Sequence, residues 1–80
     1  MNVQLLFFGI TKDLVQLDDL SFKVSHKSTV GSLKKQLQDV FPQLTRLDSY
    51  FIAVNESYAG DEVLLKENDK VAILPPVSGG

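Results

Sequence analysis

The chain contains no cysteine, so neither disulfides nor a thiolate metal site contribute to its fold. It has one histidine, His26, in the polar stretch His26-Lys27-Ser28, with no Cys or His companion for metal binding. His26 therefore reads as a solvated loop residue. No sign of charge dominates. Eight Lys and Arg stand against ten Asp and Glu, giving a formal net charge of −2 spread along the sequence. That pattern offers no phosphate-binding surface and argues against nucleic acid as a main partner. The longest apolar run, Leu5-Leu6-Phe7-Phe8, is far short of a membrane span. Met1 leads directly into strand-like sequence with no secretory signal, so a soluble, cytosolic protein is expected. Gly9 and Gly31 stand outside any glycine-rich phosphate loop, and no serine occupies a nucleophile-elbow setting. The carboxylate pairs Asp18-Asp19 and Asp61-Glu62 are adjacent in sequence. Adjacent side chains of extended backbone point apart, so each pair reads as a solvated turn. The chain shows no active site of its own.

What is present suits one small folded domain. Eighty residues leave no room for a second, and a chain this size buries only about 60% of its unfolded surface. Hydrophobic residues make up 44% of the chain, enough for one core. Val3, Leu5 and Phe7 alternate with Gln4, Leu6 and Phe8, which predicts a first strand with large apolar groups on both faces towards its end. One set meets the core. The other, with Leu6 and Phe8, is covered by the fold or offered to a partner. Gly9 stops this strand, and residues 11–17 suit a short helical turn. Leu20, Phe22 and Val24 predict a half-buried second strand after the Asp18-Asp19 turn.

Thr29 is a helix cap, and Val30, Leu33, Leu37 and Val40 recur at spacings of three and four. Phe41-Pro42 ends that helix, because a residue before proline avoids the α region. Residues 43–49 form a connection with room for one helical turn. Residues 50–54 are β-rich and lead into the turn Asn55-Glu56-Ser57. Leu64-Leu65 suits a short extended segment, Glu67-Asn68-Asp69 another turn, and residues 71–74 the last strand. The sum is an α+β fold with one main helix across a mixed sheet. Val24, Val30, Leu33, Leu37, Ile52 and Val71 are the expected core. If Val71 and Ile73 face inward, Ala72 and Leu74 face outward, leaving Leu74 exposed beside the tail. Phe8, Tyr58 and Leu74 are the candidates for an exposed apolar docking patch.

The chain then divides into a domain over residues 1–74 and an extended tail over residues 75–80. The tail reads Pro75-Pro76-Val77-Ser78-Gly79-Gly80. The prolines fix φ and lack N–H donors, which stiffens the exit. The glycines carry no side chain, so a narrow channel can close around bare backbone. A Gly-Gly end alone also fits a frayed terminus; the hydrophobic strand running straight into it points instead to a presented C-terminus. Extended at about 3.1 Å per residue, these residues span roughly 19 Å. The reacting group would be the carboxylate of Gly80, a poor electrophile that needs activation, for example as an acyl-adenylate. Glycine leaves its carbonyl carbon open to attack.

Four segments, Leu6-Phe7-Phe8-Gly9, Thr11-Lys12-Asp13-Leu14, Ala53-Val54-Asn55-Glu56 and residues 71–80, resemble the small subunits of molybdopterin synthase, within the ubiquitin-like sulfur carriers. The similarity spans nearly the whole chain. The resemblance implies a β-grasp (ubiquitin-like) fold. It implies that Gly80 is adenylated by an ATP-consuming, E1-like activating enzyme and converted to a thiocarboxylate. Pro75, Pro76, Val77, Ser78 and Gly79 would enter the large subunit, and the sulfur would pass to cyclic pyranopterin monophosphate. It further implies a heterotetramer whose catalytic side chains lie in the large subunit, with no cofactor or metal bound by this chain. Lys12-Asp13 stands where Arg-Glu is common, and Glu67-Asn68-Asp69-Lys70 where an acidic Asp-Gly-Asp-Glu turn is usual. Sulfur carriers for thiamine synthesis or tRNA thiolation, and ubiquitin-like protein modifiers, share the fold and the Gly-Gly end. The Pro-Pro-Val-Ser-Gly-Gly ending favours the molybdopterin branch.

Overall fold

The computed structural model describes residues 1–47 and 49–76. Strand β1 (Asn2–Phe7) leads into helix α1 (Gly9–Val15) and strand β2 (Asp19–Lys23). Helix α2 (Val30–Val40) follows, then a 3-10 turn (Pro42–Arg46) and strands β3 (Phe51–Val54), β4 (Ser57–Tyr58) and β5 (Lys70–Leu74). The strands form one mixed sheet in the order β2-β1-β5-β3-β4. The central pair, β1 and β5, is parallel, and every other neighbouring pair is antiparallel. This is the expected β-grasp architecture.

The alternation in β1 decides which face is inner. Val3, Leu5 and Phe7 are buried, and they meet Val71 and Ile73 from β5 and Ile52 from β3. Helix α2 covers that face with Val30, Leu33 and Leu37, all fully buried. Its start is specified locally. Thr29 Oγ1 accepts from Ser32 N–H at 3.2 Å, and Ser32 Oγ accepts from Thr29 N–H at 3.0 Å. All six expected core residues are buried.

The structure corrects three readings. Val40 belongs to the expected buried stripe, yet it is 53% exposed. It is the last helical residue, and the next one, Phe41, turns in to pack edge-to-face on Phe7 at 5.7 Å. The short fourth strand lies at Ser57–Tyr58 rather than Leu64-Leu65. Asn55 and Glu56 both take positive φ (50° and 74°) and join Val54 to Ser57 through a two-residue loop. That reversal pairs Tyr58 with Ala53, while Leu64 makes only an isolated bridge to Thr29. Finally, α1 begins at Gly9, two residues earlier than expected, and ends where Gln16 turns left-handed (φ 60°).

The hairpin is tied to the root of β5 by a polar lock. Asn55 Nδ2 donates to Asp69 Oδ1 at 2.9 Å, and Lys70 N–H donates to Asn55 Oδ1 at 3.0 Å. The second Asp69 oxygen accepts from Lys66 N–H at 2.8 Å, which satisfies a largely buried carboxylate.

Candidate functional site at the base of the tail

β5 lies in the middle of the sheet and delivers the chain to Pro75 and Pro76. Its last inner residue, Ile73, is opposite Phe7 on one side and Ile52 on the other. Past that point the two neighbours behave differently. β3 continues and sets Phe51 opposite Leu74. β1 stops, and the chain turns at Gly9 (φ +56°) into α1. The turn stays attached to β5. Ile73 O accepts from Phe8 N–H at 3.2 Å and lies 3.0 Å from the hydroxyl of Thr11, a fully buried side chain. Pro75 then packs on Gly9.

The pleat sends the alternate residues to the outer face. Leu6, Ala72, Ala53 and Tyr58 stand in register across four strands, and Leu74 and Phe51 form the next row, on the tail side. Phe8 stands at the β1 end of that row. Phe8 is 47% exposed, Phe51 43% and Tyr58 72%, and the Phe51 and Tyr58 rings meet edge-to-face at 6.1 Å. The β2 side of the same face carries Asp19, Ser21 and Lys23. A groove over β1 and β5, on the side of the Asn55-Glu56 turn, is lined by Leu6, Phe8, Ala72, Asn55, Glu56 and Lys70. One half of the outer face is thus apolar and the other charged, with the tail leaving beside the apolar half.

A sequence profile of the ThiS family matches residues 5–80. The chain belongs to the ThiS family. Among relatives of this ThiS-family chain, a protein of Drosophila erecta named molybdopterin synthase sulfur carrier subunit is 37% identical over 83 residues, covering all of this chain and 92% of the relative. One of the same name from Arabidopsis thaliana is 32% identical over 81 residues, covering 100% and 84%. The fold matches a chain of the complex of subunits 1 and 2 of the molybdopterin-converting factor from Helicobacter pylori. There the TM-score is 0.71, at 27% identity and full coverage of both chains. It also matches small archaeal modifier protein 1 from Methanosarcina acetivorans, with a TM-score of 0.81, 26% identity, and 99% and 96% coverage.

The expected site residues of this ThiS-family chain fall as follows. Phe8, Tyr58 and Leu74 share the outer face, but Phe8 and Tyr58 stand three strand steps apart, about 14 Å at ordinary strand spacing. Leu74, expected to be exposed, is half-buried opposite Phe51. Pro75 is half-buried and Pro76 exposed. Val77, Ser78, Gly79 and Gly80 lie outside the described residues. Two contributors were missed. Phe51 was within reach, since the parity that sends Ile52 inward sends Phe51 outward. The contact of Thr11 with the tail strand carried no local signal, because the Ile73 carbonyl is 62 residues away.

Among the described residues no group of three or more His, Cys, Asp or Glu is placed to hold a metal, and His26 is exposed. Lys12 donates to Asp18 at 2.7 Å on the surface, and this bond raises its pKa. On the helix side of the sheet, burial pushes the Tyr50 phenol above its ordinary value; Gln38 works against the shift and Asp61 adds to it. No helix among the described residues is long and apolar enough to cross a membrane. The arrangement leaves the apolar half-face open beside the strand that leads to Pro75 and Pro76.

Proposed function

We propose that the chain is the sulfur-carrier subunit of a molybdopterin synthase, with the Gly80 carboxylate as its reacting group. One observation carries the reading: full-length similarity to proteins of that name, joined to a central strand that runs straight into the Pro-Pro-Val-Ser-Gly-Gly tail.

The chemistry follows from what a carboxylate needs. An oxygen of Gly80 attacks the α-phosphate of ATP in an E1-like activating enzyme and releases pyrophosphate. A sulfur nucleophile displaces AMP from the acyl-adenylate and leaves a thiocarboxylate. The tail, residues 75–80, then enters the large subunit, which supplies the catalytic side chains. The sulfur passes to cyclic pyranopterin monophosphate, and the carrier returns as a carboxylate. This chain binds no cofactor in the cycle; ATP belongs to the activating enzyme, and the setting is cytosolic. The apolar half-face around Phe8, Phe51, Leu74 and Tyr58 is the docking surface, because exposed patches of this kind mark partner sites. Two large subunits and two carriers make the heterotetramer.

The test is intact-mass analysis after incubation with an activating enzyme, ATP and a sulfur donor. Exchange of one carboxylate oxygen for sulfur is expected. Conjugation to lysines of other proteins, with no thiocarboxylate, would place the chain among protein modifiers instead, and sulfur delivery only to thiazole or tRNA would place it in those pathways.

A further inference from the structure

We propose that Thr11 is a positioning residue for the reacting tail: its buried hydroxyl, with Gly9, forms a latch that sets the direction in which the chain leaves the domain at Pro75. The inference deepens the sulfur-carrier reading and rests on it.

Thr11 is fully buried, where a valine would fill nearly the same space with no polar atom to satisfy. A hydroxyl at such a place is explained by its partners. Thr11 Oγ1 accepts from Phe8 N–H at 3.0 Å. Its single proton is shared between Phe8 O at 2.5 Å and Ile73 O at 3.0 Å. The bonds to Phe8 shape the start of α1. The bond to Ile73 does something else, since it reaches the strand that carries the tail. Ile73 is the last β5 residue opposite β1, and Pro75 has no N–H with which to extend the ladder. Without Thr11, Ile73 O would keep only the 3.2 Å bond from Phe8 N–H on this side. Gly9 supplies the other half of the latch, because only a residue without Cβ lets Pro75 lie against this turn.

A tail aimed at its root samples fewer directions, so more docked complexes have the thiocarboxylate in place. Misplacing a reacting atom by about 1 Å costs up to about a hundredfold in rate. Docking itself uses the outer face and does not touch the Thr11 hydroxyl.

The experiment compares Thr11→Val and Thr11→Ser in the thiocarboxylated full chain at saturating large subunit, below the melting range of both. Thr11→Val is expected to lose about tenfold or more in single-turnover sulfur transfer, with unchanged docking affinity. Thr11→Ser gives up a buried methyl group and some stability, yet is expected to transfer near the wild-type rate. Wild-type transfer by Thr11→Val, or losses in both variants that merely follow their melting temperatures, would overturn the latch. Should Thr11→Val not fold, Gly9→Ala takes its place: slowed transfer with intact docking supports the latch, and an unchanged rate overturns it. A wild-type chain that delivers no sulfur contradicts the carrier reading instead. The latch is then judged by the NMR proximity of Gly9 and Pro75, expected in wild type and Thr11→Ser and lost in Thr11→Val; its persistence in Thr11→Val contradicts the latch.

Discussion

Pro75 rests on Gly9 so closely that a Cβ built at Gly9 would lie 2.9 Å from Pro75 Cγ. The first residue of the tail is therefore packed against the turn that follows the first strand. Gly9 also has φ +56°, a conformation that costs other residues about 1 kcal/mol or more. Gly9→Ala should lower stability by about 1–3 kcal/mol in denaturant unfolding, since a proline ring has little freedom to give way. A midpoint equal to wild type would show that Pro75 moves off without cost.

The core makes a sharper claim about the helix. Leu37 is fully buried at the centre of the α2 stripe. Leu37→Ala should cost about 2–5 kcal/mol, read from the shift in unfolding midpoint. An unchanged midpoint would refute the assigned helix face.

The outer face should behave in the opposite manner. Phe51 and Leu74 stand opposite each other beside the tail, away from the core cluster. Leu74→Glu and Phe51→Glu should each weaken binding to the large subunit by tenfold or more, about the loss expected when a charge enters an apolar contact. The far-ultraviolet circular dichroism of the free domain should not change. Unaltered affinity in both variants would remove this patch from the interface.

Tyr50 gives a pH signature. Its hydroxyl is buried with no partner in good hydrogen-bond geometry among the described residues, although Gln38 lies near enough to favour the charged form. Burial raises its pKa above the ordinary 10.0, so the folded state holds the phenol proton more tightly than the unfolded chain does. The resulting stability is complete below pH 10.0 and is lost as pH climbs through the raised folded value. Tyr50→Phe should remove this alkaline loss and leave stability at neutral pH equal or slightly higher, because the hydroxyl has no well-formed bond to lose. A marked loss at neutral pH would reveal a partner for the hydroxyl.

How far these features could be read from the chain depends on how local they are. Helix α2 was readable to the residue, because the Thr29 cap, the Val30-Leu33-Leu37 spacing and Pro42 all act within a few positions. Val40 misled because spacing describes a helix face but says nothing of where the next element turns in, and Phe41 does so one residue later. Tyr58 was recognised as exposed, but its strand depends on a two-residue reversal at Asn55-Glu56, where Glu56 adopts a positive φ that residues other than glycine and asparagine seldom take. The link from Thr11 to Ile73 lay out of reach altogether. It exists only once β1 and β5 have paired in parallel, a contact between distant parts of the chain.

Reconstitution decides whether Gly80 carries sulfur to a pterin. Thiocarboxylated chain is mixed with a molybdopterin synthase large subunit and cyclic pyranopterin monophosphate, and molybdopterin is measured in a single turnover. Product is expected in proportion to thiocarboxylate, with none when Gly80 is deleted from a chain that stays folded, and Gly80→Ala impaired less than the deletion. Efficient transfer to thiazole synthase with none to the pterin, or product from the Gly80-deleted chain, would contradict this role of Gly80.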